Sequence, residues 1–112
     1  MAQHHLGFPC SMALRPSTLL AVICDKVNAL AVQGFDRFFF VNGHGGNTGT
    51  VKTVSSQIYS GSSLRTADSN RRNVRCALFN WSDSSKFQAI CDREFRKSKG
   101  SHATVSEVSL TY

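Results

Sequence analysis

The chain has 112 residues, 41% of them hydrophobic, enough for one modest folded domain, too apolar for a disordered chain, and without an apolar run long enough to span a bilayer. The formal charge is +6, and nine of the thirteen Lys and Arg lie between positions 64 and 99 beside four acids. That excess invites a nucleic-acid or acidic partner, but few aromatics are interleaved and no RRM, KH or zinc-finger pattern appears, so a mixed-charge solvated face is expected and a basic nucleic-acid-binding module is the alternative.

The opening Met1-Ala2-Gln3-His4-His5 lacks the basic and apolar regions of a secretory signal. Residues 4–11 are punctuated by Gly7 and Pro9 and read as irregular. Arg15-Pro16-Ser17-Thr18 then opens a helix, because proline suits the first turn, where its missing N–H is an orphan in any case. Leu20, Ile23, Val27, Leu30 and Ala31 give that helix one apolar stripe, and Gly34 suits its C-terminal cap. A strand over 37–41 follows. Its near-continuous apolar character, with Phe38, Phe39 and Phe40 read as core, predicts burial on both faces, as in a parallel sheet covered by helices.

Asn42-Gly43-His44-Gly45-Gly46-Asn47 comes next, a glycine-rich turn carrying one histidine between that strand and a helix over 48–59. Glycines permit positive φ and close approach of a ligand, and ligands of open α/β sheets bind beyond the carboxyl ends of the strands. Val51, Val54 and Ile58 form the buried stripe of this second helix, which Ser60-Gly61-Ser62-Ser63 is expected to end. Residues 65–73 read as a polar loop. A second strand is expected over 74–81, with Val74, Cys76, Leu78 and Asn80 sharing a face. Ser84 is placed to cap a third helix running to about 97, with Phe87, Ile90, Cys91 and Phe95 inward. The last residues, 100–112, begin a helical pattern. Strands alternating with helices predict an α/β fold. Cys10, Cys24, Cys76 and Cys91 contain no C-x-x-C pair, which disfavours a zinc ribbon and points to buried, reduced thiols in a cytoplasmic protein.

Two places carry metal-ligand or acid–base groups: His44, and the pair His102 and Glu107. Imidazole and carboxylate suit zinc, manganese or iron. A spacing of five does not put His102 and Glu107 on one helical face, although a turn leading into a helix can still aim both at one point. By residue type alone a structural or solvated role for each stays open.

The stretch Asn42-Gly43-His44-Gly45-Gly46-Asn47 resembles the N-G-H-G-G-N signature of the creatininase (creatinine amidohydrolase) family. Phe8-Pro9-Cys10-Ser11-Met12-Ala13-Leu14-Arg15-Pro16-Ser17-Thr18 resembles its F-P-G-T-x-x-L-R-P-x-T block, and Gly100-Ser101-His102-Ala103-Thr104-Val105-Ser106-Glu107-Val108-Ser109 its H-A-G-x-x-E-T-S block. The three occur in the family's order, with the weakest cover over 60–99. The resemblance implies a three-layer α/β/α fold with a mostly parallel central sheet, a two-metal site, hydrolysis of a cyclic or other C–N amide bond in a small molecule, and assembly as a homo-oligomer, often a hexamer. It implies that His44 and Glu107 bind metal and that His102 has an acid–base role. It also suggests that Asn42 shapes the turn, that Asn47 holds the following helix and that Trp81 lines a substrate pocket, with plain packing as the alternative for Trp81.

Several departures qualify it. Nothing here resembles the family's E-x-H-G-x-H-L-P-x-x-T-D motif, which supplies a bridging aspartate, and Cys10, Ser11 and Thr104 stand where Gly, Thr and Gly are usual. His44 and Glu107 are two ligands where zinc takes about four; His4 and His5 are weak candidates for the remainder. The expectation is therefore a single partial creatininase-like domain over 1–112, of low or no independent activity. The alternative is a non-catalytic fragment that needs a complementing chain.

Overall fold

A computed structural model describes residues 6–63, 73–95 and 100, the side chains of 62 and 63 excepted. These residues fall into two compact units that divide after Asn80. The first contains helix α1 (Pro16–Val32), strand β1 (Arg37–Asn42), a 3-10 turn (Gly45–Asn47), helix α2 (Thr48–Ser63) and strand β2 (Arg75–Asn80). The second contains a 3-10 turn (Trp81–Asp83) and helix α3 (Ser85–Glu94). Strands β1 and β2 pair in parallel, Arg37 opposite Arg75 through Asn42 opposite Asn80. A parallel sheet with helical connections is the α/β class expected from the sequence. No described helix is long and apolar enough to cross a membrane.

Helix α1 begins where proline allows. Pro16 is its first residue and Arg15, extended at φ −63° and ψ 150°, supplies no side-chain cap. It ends in a Schellman motif: Gly34 takes φ 102°, its N–H donates to the Ala31 carbonyl, and the Phe35 N–H donates to the Leu30 carbonyl. The buried stripe is shifted slightly from the expected one. Cys24 and Val27 are buried and Leu20 and Ile23 pack beside them, whereas Leu30 is exposed. The small thiol of Cys24 fills the i+4 position that completes the stripe.

Val51, Val54 and Ile58 of α2 are all buried, as their spacing predicts. The helix does not stop at residue 60 but runs through Ser63. Its hydroxyls bond back along the helix, Thr53 to the Gly49 carbonyl, Ser55 to Val51 and Ser56 to Lys52. These side chains occupy helical carbonyls instead of diverting the backbone into a turn. Cys24, Val27, Val54 and Ile58 form the core of the first unit, with Phe38, Phe40, Val74 and Cys76 packed against it. Each fully buried aliphatic side chain contributes on the order of 1.5–3 kcal/mol. Burial pushes the Cys24 thiol upward, with Asp25 adding to it. Cys76 is also raised, chiefly by burial, against the Tyr59 and Ser55 hydroxyls, which pull it down. No disulfide joins the four cysteines, in keeping with the expected reduced thiols, although Cys10 is exposed.

The expectation of burial on both faces of β1 needs correction. Phe38 and Phe40 face the helices, but Phe39 is 66% and Val41 67% exposed. Both α1 and α2 contribute to the core on the Phe38, Phe40 and Cys76 face. On the other face Phe39 stacks on Phe79 with ring centroids 6.2 Å apart, and among the described residues of this unit no helix lies over them. A run of aromatics hides the period-two alternation that the backbone imposes.

The outer edge of β2 is closed by a side chain from α2. The Cys76 N–H donates to the Tyr59 hydroxyl at 2.8 Å, and that hydroxyl donates to the Cys76 carbonyl at 3.2 Å. One phenol thus satisfies both backbone groups of an edge residue that otherwise offers them to another strand.

In the second unit Ser84 caps α3 as expected, its hydroxyl accepting from the Phe87 N–H at 3.5 Å. Helix α3 ends at Glu94. Cys91 is buried, Phe87 and Phe95 are half-buried, and Ile90 is exposed, contrary to the expected inward set. Trp81 packs edge-to-face on Phe87 at 4.6 Å.

Ahead of α1, the Ser11 N–H donates to the Phe8 carbonyl at 3.2 Å and Cys10 has φ 64°. This is a tight turn with proline second and a left-handed residue third, a position that favours glycine. Cys10 stands where the resembling motif has glycine, and a side chain there costs about 1–2 kcal/mol. Cys10→Gly is expected to raise stability by about 1 kcal/mol in urea unfolding once the added chain entropy of glycine is set against the relieved strain, and Cys10→Ala to leave it unchanged; a loss in the glycine variant would contradict the strained turn. Tyr59→Phe is expected to lower stability by about 1 kcal/mol and to speed hydrogen exchange at the Cys76 amide, with an unaltered rate counting against the edge closure.

Candidate functional site

The site forms where β1 and β2 end together. Asn42 closes β1 and is 5% exposed, the buried polar residue of the described core. A buried carboxamide costs several kcal/mol unless its donors and acceptor are met, and here they are. Its Nδ2 donates to the His44 carbonyl at 2.8 Å and to Asn80 Oδ1 at 2.8 Å, and lies 3.2 Å from Thr48 Oγ1. Its Oδ1 accepts from the His44 N–H at 3.2 Å and from Asn47 Nδ2 at 3.3 Å. The Thr48 hydroxyl donates in turn to Asn80 Oδ1 at 3.1 Å. One side chain thereby grips both backbone groups of His44 and ties them to the second strand and to the start of α2.

His44 is extended at φ −143° and ψ 126° and serves as N-cap of the 3-10 turn. Its Nδ1 accepts from the Gly46 N–H at 3.0 Å, and its carbonyl also accepts from the Asn47 N–H at 3.0 Å. An imidazole nitrogen that accepts carries no proton, so in this arrangement Nδ1 is the unprotonated nitrogen. The glycines of the turn work differently from the expectation. Gly34 is the glycine with positive φ among the described residues, so Gly43, Gly45 and Gly46 are not needed for a left-handed backbone. At Gly43 and Gly45 a Cβ would meet no atom within 4 Å. What these residues provide is open space beside the backbone, the close-approach half of the reading.

A groove of about 290 Å³ runs along the outer side of β1, walled by Leu19 and Ile23 of α1, by Phe39, Phe40, Val41 and Asn42 of β1, and by Asn47 and Val51. It is mainly apolar, with the two asparagine side chains at the end nearest the turn.

Of the residues singled out from the sequence, His44, Asn42 and Asn47 are brought together. His102 and Glu107 lie outside the described residues, as do His4 and His5. Among the described residues no three His, Cys, Asp or Glu side chains gather where they could hold a metal ion. His44 itself fits an ion conditionally. A metal-bound imidazole ordinarily donates through its other nitrogen, whereas Nδ1 here faces a donor, so ligation at Nε2 requires the ring proton to move to Nδ1 and the Gly46 contact to open. Trp81 belongs to the second unit, where it packs on Phe87. Thr48 and Asn80 were not foreseen as site residues; the signal for Asn80 was its place at the end of a period-two strand.

Replacing Asn42 by aspartate tests the polarity of the network. The second carboxylate oxygen would face the His44 carbonyl and Asn80 Oδ1, acceptors against an acceptor. Each buried group left unpaired costs about 1–3 kcal/mol, so Asn42→Asp is expected to lose at least as much stability as Asn42→Ala, about 2 kcal/mol or more in urea unfolding. A wild-type midpoint for Asn42→Asp at neutral pH would contradict the hydrogen-bond directions.

A family model described as creatinine amidohydrolase, that of the creatininase family, matches residues 1–112, the whole chain. A comparison with curated proteins finds no match.

Proposed function

The chain belongs to the creatininase family of creatinine amidohydrolase-like hydrolases, and on that premise we propose that it acts on a C–N amide bond of a small molecule, a cyclic amide of the creatinine kind, at the carboxyl end of β1 and β2. The observation that carries this reading is the placement of His44, fixed at both backbone groups by a buried asparagine beyond the end of a parallel strand, where α/β enzymes bind their ligands. The space beside Gly43 and Gly45 and the groove ending at Asn42 and Asn47 support access by a small polar substrate.

In this reading His44 and Glu107 hold a divalent ion, zinc, manganese or iron, and His102 carries a proton to the leaving nitrogen, as an imidazole titrating near neutrality can. When bound, such an ion supplies Lewis acidity toward the amide carbonyl and a lowered pKa for water. The chain's own part is to fix the histidine and to keep the backbone beside it bare. Two assigned ligands against the four that zinc takes make the expected turnover of these 112 residues low. The exposed Phe39, Val41 and Phe79 face supports association with further protein, either copies in a cytoplasmic homo-oligomer such as a hexamer or a complementing chain. A basic nucleic-acid-binding module is the weaker reading. Few aromatics are interleaved with the basic residues between 64 and 99, and Arg93 is engaged with Glu94 at 2.6 Å on the surface.

Elemental analysis of the purified, dialysed chain tests the metal assignment. With zinc, manganese or iron supplied in the dialysis buffer, weak uptake is expected, as two ligands allow, and less uptake in His44→Ala. Equal metal in wild type and variant would overturn the role of His44, and retention on heparin with steep salt dependence would favour the basic module.

A further inference from the structure

An asparagine amide has almost the same shape when its oxygen and nitrogen exchange places, so burial alone does not decide which atom of Asn42 faces His44. The neighbours must decide it. The Asn42 amide nitrogen has two hydrogens and three acceptors in reach, the His44 carbonyl, Thr48 Oγ1 and Asn80 Oδ1. The His44 backbone fixes the polarity from one side, offering a carbonyl to Nδ2 and an N–H to Oδ1. Asn80 fixes it from the other. Its Oδ1 accepts from Asn42 at 2.8 Å and from the Thr48 hydroxyl at 3.1 Å. Thr48 donates its one hydroxyl hydrogen to Asn80, so its oxygen faces Asn42 as an acceptor. The three side chains form a closed triangle around one oxygen on β2.

We infer that Asn80 is a positioning residue for the proposed amide-hydrolysing site: its Oδ1 ties the Asn42 amide to β2, and through that amide steadies the backbone and ring of His44. The inference rests on the reading of His44 as part of that site. Asn80 is 38 residues from Asn42 in sequence but opposite it in the sheet register. With Oδ1 lost, the Asn42 amide keeps its polarity from the His44 backbone and Asn47 but loses its tie to β2, and the Nδ1 to Gly46 contact loses support. Because Oδ1 is the atom that Asn42 and Thr48 both donate to, leucine or alanine cannot replace it.

The test is long-range proton–nitrogen NMR of the His44 ring in the full 112-residue chain, without added metal and at a pH where imidazole is neutral. Wild type is expected to show Nδ1 as the unprotonated acceptor and Nε2 as protonated. In Asn80→Leu and Asn80→Ala the two nitrogens are expected to move toward a common average and the Gly46 amide proton upfield. An unchanged ring pattern in folded Asn80→Leu or Asn80→Ala would overturn the inference. Failure of both Leu and Ala variants to fold would also overturn it, by making Asn80 a structural residue. The amide-hydrolase reading fails separately, through metal content and turnover with the ring pattern intact.

Discussion

The carboxamide of Asn42 is the constraint on which the site depends. It is buried at the end of a strand, where a polar group is tolerated only if its partners are supplied. The partners come from four directions: the backbone of His44, the side chain of Asn47, the first residue of α2 and the last residue of β2. Satisfying one side chain therefore fixes a turn, a helix start and a strand end together. Fully met, such a network rigidifies its surroundings; partly met, it is worse than an apolar contact.

The rest of the first unit brings those partners to one point. The Val54 and Ile58 stripe packs α2 against α1 and the inner face of the strands, which sets where Thr48 begins the helix. Parallel pairing in register places Asn42 opposite Asn80. The sheet's two outer edges differ. Tyr59 closes β2 at Cys76, while β1 carries a groove that leads toward the histidine turn.

Local chemistry was legible in the sequence and distant pairing was not. Pro16 and Gly34 bound α1 as their backbone preferences require, Val51, Val54 and Ile58 lie inside, and Ser84 caps α3. His44 could be found from its glycine-flanked place after an apolar run, and three motifs in order carried the family. Phe39 was misread because three adjacent aromatics conceal which face each one takes. Leu30 gave way to Cys24 because a thiol is not an obvious core residue by stripe-counting. Glycine at 43, 45 and 46 suggested positive φ, although none of the three takes it. Asn80 escaped notice because its partner is remote in sequence and adjacent only through register. The positive φ of Cys10 could be anticipated only from the glycine that the resembling motif has there.

The chain belongs to the creatininase family, and the proposed amide-cleaving site lies at the fixed histidine beyond the end of the parallel strand pair. The central claim is that one buried amide holds the His44 turn, and hydrogen exchange at the His44 backbone N–H tests it most directly. Although the turn lies at the surface, that amide is expected to exchange as slowly as those of β1, opening only when the unit itself opens. Exchange at the rate of an unprotected coil would mean that Asn42 does not hold it.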